Sequence, residues 1–251
     1  MEDWRNRTRL LVGDVGLERL SAAHVAIFGL GGVGGAAVEA LARAGVGRLT
    51  LVDLDRVSAS NLNRQILATR DVLGRPKVDV AAERIRSINP YALVDARQDF
   101  FTAKTAAAYV GTLDSPDFVV DAIDGLNAKV FLIHACDGAG IPVVSVLGTA
   151  RRMDPTRVRI THLGDTLGDP LAAKVRRRLR RVGFRDRLHE IPAVISDEDP
   201  VDAPEGIIEE PSSTGESGRL RAPLPSFPTV PLAAGLAAAY HVLRSLLDPT
   251  R

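Results

Sequence analysis

Between residues 24 and 44 a short apolar run, His24 to Phe28, passes through Gly29-Leu30-Gly31-Gly32-Val33-Gly34 into a helical pattern beginning near Val33. No other stretch restricts the fold as strongly. A continuous apolar run of this length reads as a buried parallel strand. Glycines at this spacing, between a strand and a helix, let backbone N–H groups approach a phosphate that the helix N-terminus favours electrostatically. Alone, the turn implies a nucleotide and no reaction.

The flanking chain repeats the alternation. Residues 1 to 22 read as a charged arm and a short helix, with Leu10, Leu11, Val15, Leu17 and Leu20 as apolar packing positions. After the helix Val33 to Ala44, ended by Gly45 and Gly47, a strand is expected over Arg48 to Val52, closing on Asp53 and Asp55. A long polar connection, 56 to 76, has the character of a functional loop. Helices are expected over Lys77 to Ile88, Thr102 to Val110 and Ala128 to Gly138, and strands over Ala92 to Gln98, Asp117 to Ala122 and Ile141 to Val146. This order predicts an α/β, Rossmann-like fold: a mostly parallel sheet with helices on both faces. Asp53 and Asp124 then converge above the carboxyl ends of the strands, where such sheets hold ligands.

Beyond residue 150 the pattern changes, so a single domain is expected to comprise an arm (1–22), a nucleotide-binding core (23–150) and a C-terminal extension (151–251). Arg157 to His162 reads as an edge strand. Asp169-Pro170 has the form of an N-cap followed by Pro at the first helical position. The helix it opens places Leu171, Val175, Leu179 and Val182 on one face and Lys174, Arg176, Arg177, Arg178, Arg180 and Arg181 around the rest. With 32 Lys+Arg against 31 Asp+Glu the net charge is only +1, so attraction to nucleic acid must come from such local clustering. A basic helix is more often a solvated face than a tRNA contact, and this one lacks the aromatics that would stack on bases. Residues 196 to 223, rich in Asp, Glu, Pro, Ser and Gly, are expected to form a mobile loop. An apolar helix, Pro231 to Leu247, closes the chain; its His241, Arg244 and Ser245 argue against a bilayer span. With no apolar segment of secretory type near the start, a cytoplasmic location and no membrane association are expected.

The glycine turn followed by Asp53 also fits a nicotinamide dinucleotide, with the carboxylate on ribose hydroxyls. Around it, however, lie Asn61, Asn63, Arg64 and Lys77, which bring two cations to the same crevice. A triphosphate cleaved at its α-phosphate needs such cations, because negative charge grows on the departing pyrophosphate. Asp124 suits Mg²⁺, which takes one or two carboxylates plus phosphate oxygens.

In order, Gly29-x-Gly31-Gly32-Val33-Gly34, Asp53-Leu54-Asp55, Asn61-x-Asn63-Arg64-Gln65, Gly74-x-Pro76-Lys77 and Asp121-Ala122-Ile123-Asp124 resemble the ThiF/MoeB/HesA family of ubiquitin-activating-like adenylating enzymes. The resemblance implies that ATP lies against Gly29, Gly31, Gly32, Gly34, Asp55, Asn61 and Asp121. It puts the ribose on Asp53, the phosphates on Arg64 and Lys77, and Mg²⁺ on Asp124. It further implies a homodimer in which Arg9 acts in trans at the partner's nucleotide. Asp154-Pro155-Thr156 and the stretch from Asp169 to Arg176 resemble a subgroup that adenylates the threonylcarbamoyl carboxylate on a tRNA adenosine and closes it into a ring, expelling AMP. For that subgroup, a monovalent cation (K⁺ or Na⁺) and a sulfur-transfer protein partner are further expectations. The alternatives are adenylation of the C-terminal glycine of a ubiquitin-like or sulfur-carrier protein, and a nucleotide-binding dimer without catalysis.

Cysteine use separates the first two. Relatives that activate sulfur carriers commonly hold zinc through paired CxxC motifs, and several use a cysteine nucleophile. This chain has one cysteine, Cys136, in a helical pattern that predicts simple packing. Cyclisation of an activated carboxylate needs no enzyme thiol. The five histidines show no ligand spacing and read as structural.

Overall fold

The computed structural model describes residues 3–202, 213–214, 220–221 and 224–248. Its frame is a sheet of seven strands: β1 (His24–Phe28), β2 (Arg48–Val52), β3 (Leu93–Arg97), β4 (Phe118–Asp121), β5 (Val143–Val146), β6 (Val158–His162) and β7 (Pro192–Ser196). They lie in the order β3-β2-β1-β4-β5-β7-β6, parallel except for the edge strand β6. From β1 the chain winds outward through β2 and β3, then returns to place β4 on the other side of β1. The glycine turn therefore leaves the sheet at its topological switch point, where strand ends diverge and open a crevice.

Strand periodicity sorts the core onto two faces. Val25 and Ile27 of β1 join Leu49 and Leu51 on the face covered by α2 (Gly32–Ala44), α3 (Lys77–Ile88) and α7 (Thr229–Leu247). Ala26 and Phe28 point the other way, toward α4 (Ala106–Gly111) and α5 (Leu126–Gly138), and α6 (Pro170–Arg181) packs further along that face through Val175 and Leu179. α7 is long and apolar enough to cross a membrane by length and composition. It is accounted for by packing on α2: a Cβ added at Gly235 would lie 2.2 Å from the Val33 carbonyl oxygen.

Several elements depart from the sequence expectation. The arm is mostly helix, α1 (Asn6–Ala22), broken at Gly13; of its apolar positions only Leu17 and Leu20 are buried, while Leu10, Leu11 and Val15 are 82%, 87% and 63% exposed. α4 is shorter than expected because the Thr105 hydroxyl accepts from Thr102 N–H at 2.8 Å and holds residues 102–105 in a turn. Val182 lies past the end of α6 and is exposed, its place in the core taken by Phe184. β7 was not anticipated: Ala193, Val194 and Ile195 form an internal strand between β5 and β6.

The expected mobile loop, 196–223, begins on the last residue of that strand. Its first part is held in place: Glu198 accepts from the N–H groups of Met153 and Asp154, and Val201 N–H donates to the Arg151 carbonyl at 2.7 Å. Two short strands, β8 (Ser213–Thr214) and β9 (Leu220–Arg221), pair antiparallel. The rest of the expected loop lies outside the described residues.

Candidate functional site

The turn after β1 is tight, and two of its glycines are required by packing alone. Gly29 has φ +88°, and a Cβ there would sit 2.7 Å from the Ala122 carbonyl oxygen. A Cβ at Gly34 would lie 1.7 Å from the Gly29 carbonyl oxygen, so any larger residue would push α2 off the strand end. Gly31 differs: the only atom near its would-be Cβ is Gln65 Nε2 at 3.8 Å. Its backbone therefore faces open space at the start of α2, whose N-cap has no side-chain partner. The first-turn N–H groups of a helix lack intrahelical partners and favour an anion.

Asp53, just past β2, is fixed against this turn. One carboxylate oxygen accepts from Leu30 N–H at 2.5 Å and the other from Asp55 N–H at 2.8 Å. Burial pushes its carboxyl above the usual range, opposed by Lys77 and by those two N–H groups. Four acceptor positions on two oxygens leave capacity for ribose hydroxyls. Lys77, the first residue of α3, is buried to its ammonium group and pairs with the exposed Asp55 at 2.8 Å.

The polar connection folds back over the same turn. Asn61 is buried and accepts from Ser58 N–H at 3.1 Å, closing a capping box. Gly32 abuts the backbone of Arg64, whose carbonyl oxygen would be 3.0 Å from a Cβ there. The Arg64 guanidinium donates to Ser60 O and Asn63 Oδ1, each at 2.8 Å, with no carboxylate partner among the described residues. On the opposite side of the turn, the Ala122–Ile123 backbone touches Gly29 and carries the exposed Asp124, likewise unpartnered among the described residues. Asp53 and, through Asp55, Lys77 thus stand against the glycine turn, with the Arg64 backbone on one side of it and the Ala122–Ile123 backbone leading to Asp124 on the other. No cluster of three His, Cys, Asp or Glu able to hold a metal occurs among the described residues. A Mg²⁺ ion here would rest on Asp124 and on phosphate oxygens, a donor set that this hard cation accepts.

One expected site residue, Asp121, stands elsewhere, and Arg9, expected to act in trans, is apart from the turn in its own chain. Asp121 has no accessible surface: Lys129 Nζ lies 2.8 Å from one oxygen and the Ser145 hydroxyl donates to it at 2.7 Å. Burial raises its pKa against the pull of Lys129, and it supports the Asp124 segment from beneath through Ile123 N–H instead of lining the crevice. Arg9 lies on α1, exposed and paired with Asp14 at 2.5 Å, and touches no residue of the crevice within its own chain.

Lys129, Ser145 and Arg152 were missed from the sequence. Arg152 is 2% exposed; it donates to the carbonyls of Glu198 and Gly148, and its remaining terminal nitrogen has no partner. In Ala150-Arg151-Arg152 it reads as a surface residue, and nothing local to the sequence signals its burial. Cys136 packs among Phe28, Leu132 and Val143, and burial pushes its thiol to about 12.

A glycine turn at a switch point, flanked by a ribose-type carboxylate and phosphate-type cations, defines an α/β nucleotide-binding protein. The chain belongs to the ThiF family, whose sequence profile matches residues 5–250. It is 38% identical over 243 residues to the tRNA threonylcarbamoyladenosine dehydratase of Bacillus subtilis, covering 96% of this chain and 94% of that protein. The crystal structures of the Escherichia coli dehydratase in complex with ATP and with AMP each superpose with a TM-score of 0.85 at 35% identity, over 99% of this chain and 97% of that one. Similarity to the E. coli molybdopterin-synthase adenylyltransferase, at 40% identity, spans 55% of this chain.

Proposed function

We propose that this chain is an ATP-dependent enzyme of tRNA modification: it adenylates the carboxylate of a threonylcarbamoyl group on a tRNA adenosine and closes that group into its cyclic form. The observation that carries this reading is the glycine turn with Asp53 fixed against it, Lys77 held nearby by Asp55, and the backbones of Arg64 and of the segment before Asp124 abutting the same turn. It occurs in a chain resembling such dehydratases along nearly its whole length. The substrate carboxylate attacks the α-phosphate and pyrophosphate leaves. The carbamoyl group of the same substrate then attacks the activated carbonyl and expels AMP, so that one water is lost overall.

In this reading Asp53 binds the ribose, and the α2 N-terminus with Gly31 and Gly32 takes a phosphate. Arg64 and Lys77 stabilise the charge growing on pyrophosphate, where positioned cations act most strongly. Asp124 holds Mg²⁺, while Asp55 fixes the Lys77 ammonium. The enzyme is one domain and works as a homodimer: the exposed Leu10, Leu11 and Val15 lie on the same arm as Arg9, and a second copy covering them would bring Arg9 to the neighbouring nucleotide. No thiol takes part, in keeping with the buried Cys136.

The test is incubation of the purified chain with ATP, Mg²⁺ and threonylcarbamoyl-modified tRNA, with and without K⁺ or Na⁺, reading AMP and the tRNA nucleosides by mass. AMP and a nucleoside 18 Da lighter are expected, and Lys77→Ala and Arg64→Ala should each abolish both products while remaining folded. AMP formation that ignores the tRNA and requires a protein ending in Gly-Gly would overturn the substrate assignment.

A further inference from the structure

α6 carries Lys174, Arg176, Arg177, Arg178, Arg180 and Arg181 and no carboxylate, in a chain whose net charge is only +1. Its orientation is set from both sides. Asp169 caps the N-terminus, accepting from Leu171 and Ala172 N–H, and also accepts from Gly148 N–H at 2.9 Å, which ties the helix start to the carboxyl end of β5. Ala172, Val175 and Leu179 are buried among Ile133, Leu163, Phe184 and Leu188. The 3.6-residue period therefore turns Lys174, Arg177, Arg178 and Arg181 outward as one stripe, with Arg180 beside it.

Most of these cations are uncommitted. Arg176 donates to the Thr166 carbonyl at 2.6 Å, and Arg178 donates to Asn127 Oδ1. Lys174, Arg177, Arg180 and Arg181 have no hydrogen-bond or ionic partner among the described residues. Helix ends attract cations at the C-terminus, which explains some charge at Arg180 and Arg181. It does not explain Lys174 and Arg177 mid-helix, where like charges three and four residues apart repel one another. Arg178 connects the stripe to the crevice, since Asn127 lies in the first turn of α5, three residues after Asp124.

We propose that this stripe binds the phosphate backbone of the tRNA and feeds the modified adenosine toward the Asp124 side of the crevice. The inference rests on the functional reading above and deepens it by assigning the surface that recognises the substrate. From Lys174 to Arg181 the helix rises about 10 Å, enough to run beside two or three successive backbone phosphates. The helix bears no aromatic residue and no exposed apolar stripe, so it holds the backbone without reading bases and has no face to bury in a lipid surface.

Two variants test this in the full-length chain: Arg177→Gln/Arg181→Gln, which removes charge, and Arg177→Glu/Arg181→Glu, which reverses it. With wild-type protein, log Kd for tRNA should vary with log salt with a slope of about 2 to 3, and the Gln variant should lower that slope by about one for each phosphate contact removed. The Glu variant should raise KM for modified tRNA at least tenfold while leaving kcat and ATP affinity within about twofold. An unchanged KM in both variants, with wild-type turnover intact, overturns this inference and leaves the dehydratase reading in place. Wild-type protein that binds tRNA with this salt slope, lost in the variants, but forms no cyclic nucleoside overturns the enzymatic reading and supports this one. Should the Glu variant fail to fold, the wild-type slope still decides: a slope near zero, or binding of phosphatidylserine vesicles in preference to tRNA, overturns the proposal.

Discussion

Asp121 ends β4 and Asp53 follows the last residue of β2, the two strands that flank β1, yet the protein treats these two carboxylates in opposite ways. Asp121 is answered from within: an ammonium group, a hydroxyl and a backbone N–H surround it, and no surface is left. Asp53 receives two backbone N–H groups and no direct ion partner, because Lys77 spends its short contact on Asp55. One carboxylate is consumed in holding the Asp124 segment in place. The other stays incompletely satisfied at the crevice, where a ligand can complete it. The two positions differ by one residue in register, Asp121 aligning with Phe28 and Val52 and Asp53 lying one residue beyond, so the side chains meet different partners.

The sharpest way to break this comparison is to remove the internal partner. Lys129→Met should leave Asp121 buried and unpaired, costing about 3–5 kcal/mol in urea denaturation. The double variant Asp121→Leu/Lys129→Met should recover most of that loss, since apolar side chains of similar volume replace buried pairs at little cost. A single-variant loss below about 1 kcal/mol would show that Asp121 reaches water or ligand after all.

Asp53→Asn should give the opposite balance. Because burial holds the folded-state carboxyl above its unfolded value, the unfolded chain releases this proton first. The group then contributes stability below about pH 4 that is lost as pH rises through the folded value. Relative to wild type the Asn variant should therefore be more stable at pH 7 than in acid, its removal of a buried charge being offset at every pH by the one backbone N–H that its amide leaves facing a donor. Its ATP affinity should fall roughly 10- to 100-fold, about what hydrogen bonds from a charged acceptor are worth. A variant that loses stability relative to wild type on going from acid to pH 7, with intact ATP affinity, would make Asp53 a second Asp121.

The same two residues show how far the chain can be read without coordinates. Asp53 was legible because its signal is local: an apolar strand, then a carboxylate nineteen residues beyond Gly34. The bounds of β1 and α3 and the Asp169-Pro170 helix start were legible for the same reason. Asp121 was misplaced because its partners, Lys129 and Ser145, lie on the next helix and the next strand, and only folding brings them to one point. β7 escaped because a five-residue strand opening on Pro192 and running into an acidic stretch shows neither alternation nor flanking turns. Arg152 escaped because one of the carbonyls that hold it belongs to Glu198, forty-six residues away, and the other, of Gly148, faces it only once the chain after β5 has turned.

Cys136 extends the comparison to a third buried titratable group, and the smallest effect is expected there. It sits on the Phe28 side of the sheet, its thiol pushed to about 12 by burial with a further push from the nearby Asp121. At pH 7 the thiolate fraction is then on the order of one in 10⁵, too small for a nucleophile. A buried Cys behaves as a small apolar residue, so Cys136→Ala should cost about 1 kcal/mol of stability from lost packing. AMP and cyclic-nucleoside formation should stay within about twofold of wild type at temperatures well below unfolding. Loss of turnover in a variant that still binds ATP would place a thiol in the reaction, and Cys136, enclosed like Asp121, would then be acting in chemistry and not in packing alone.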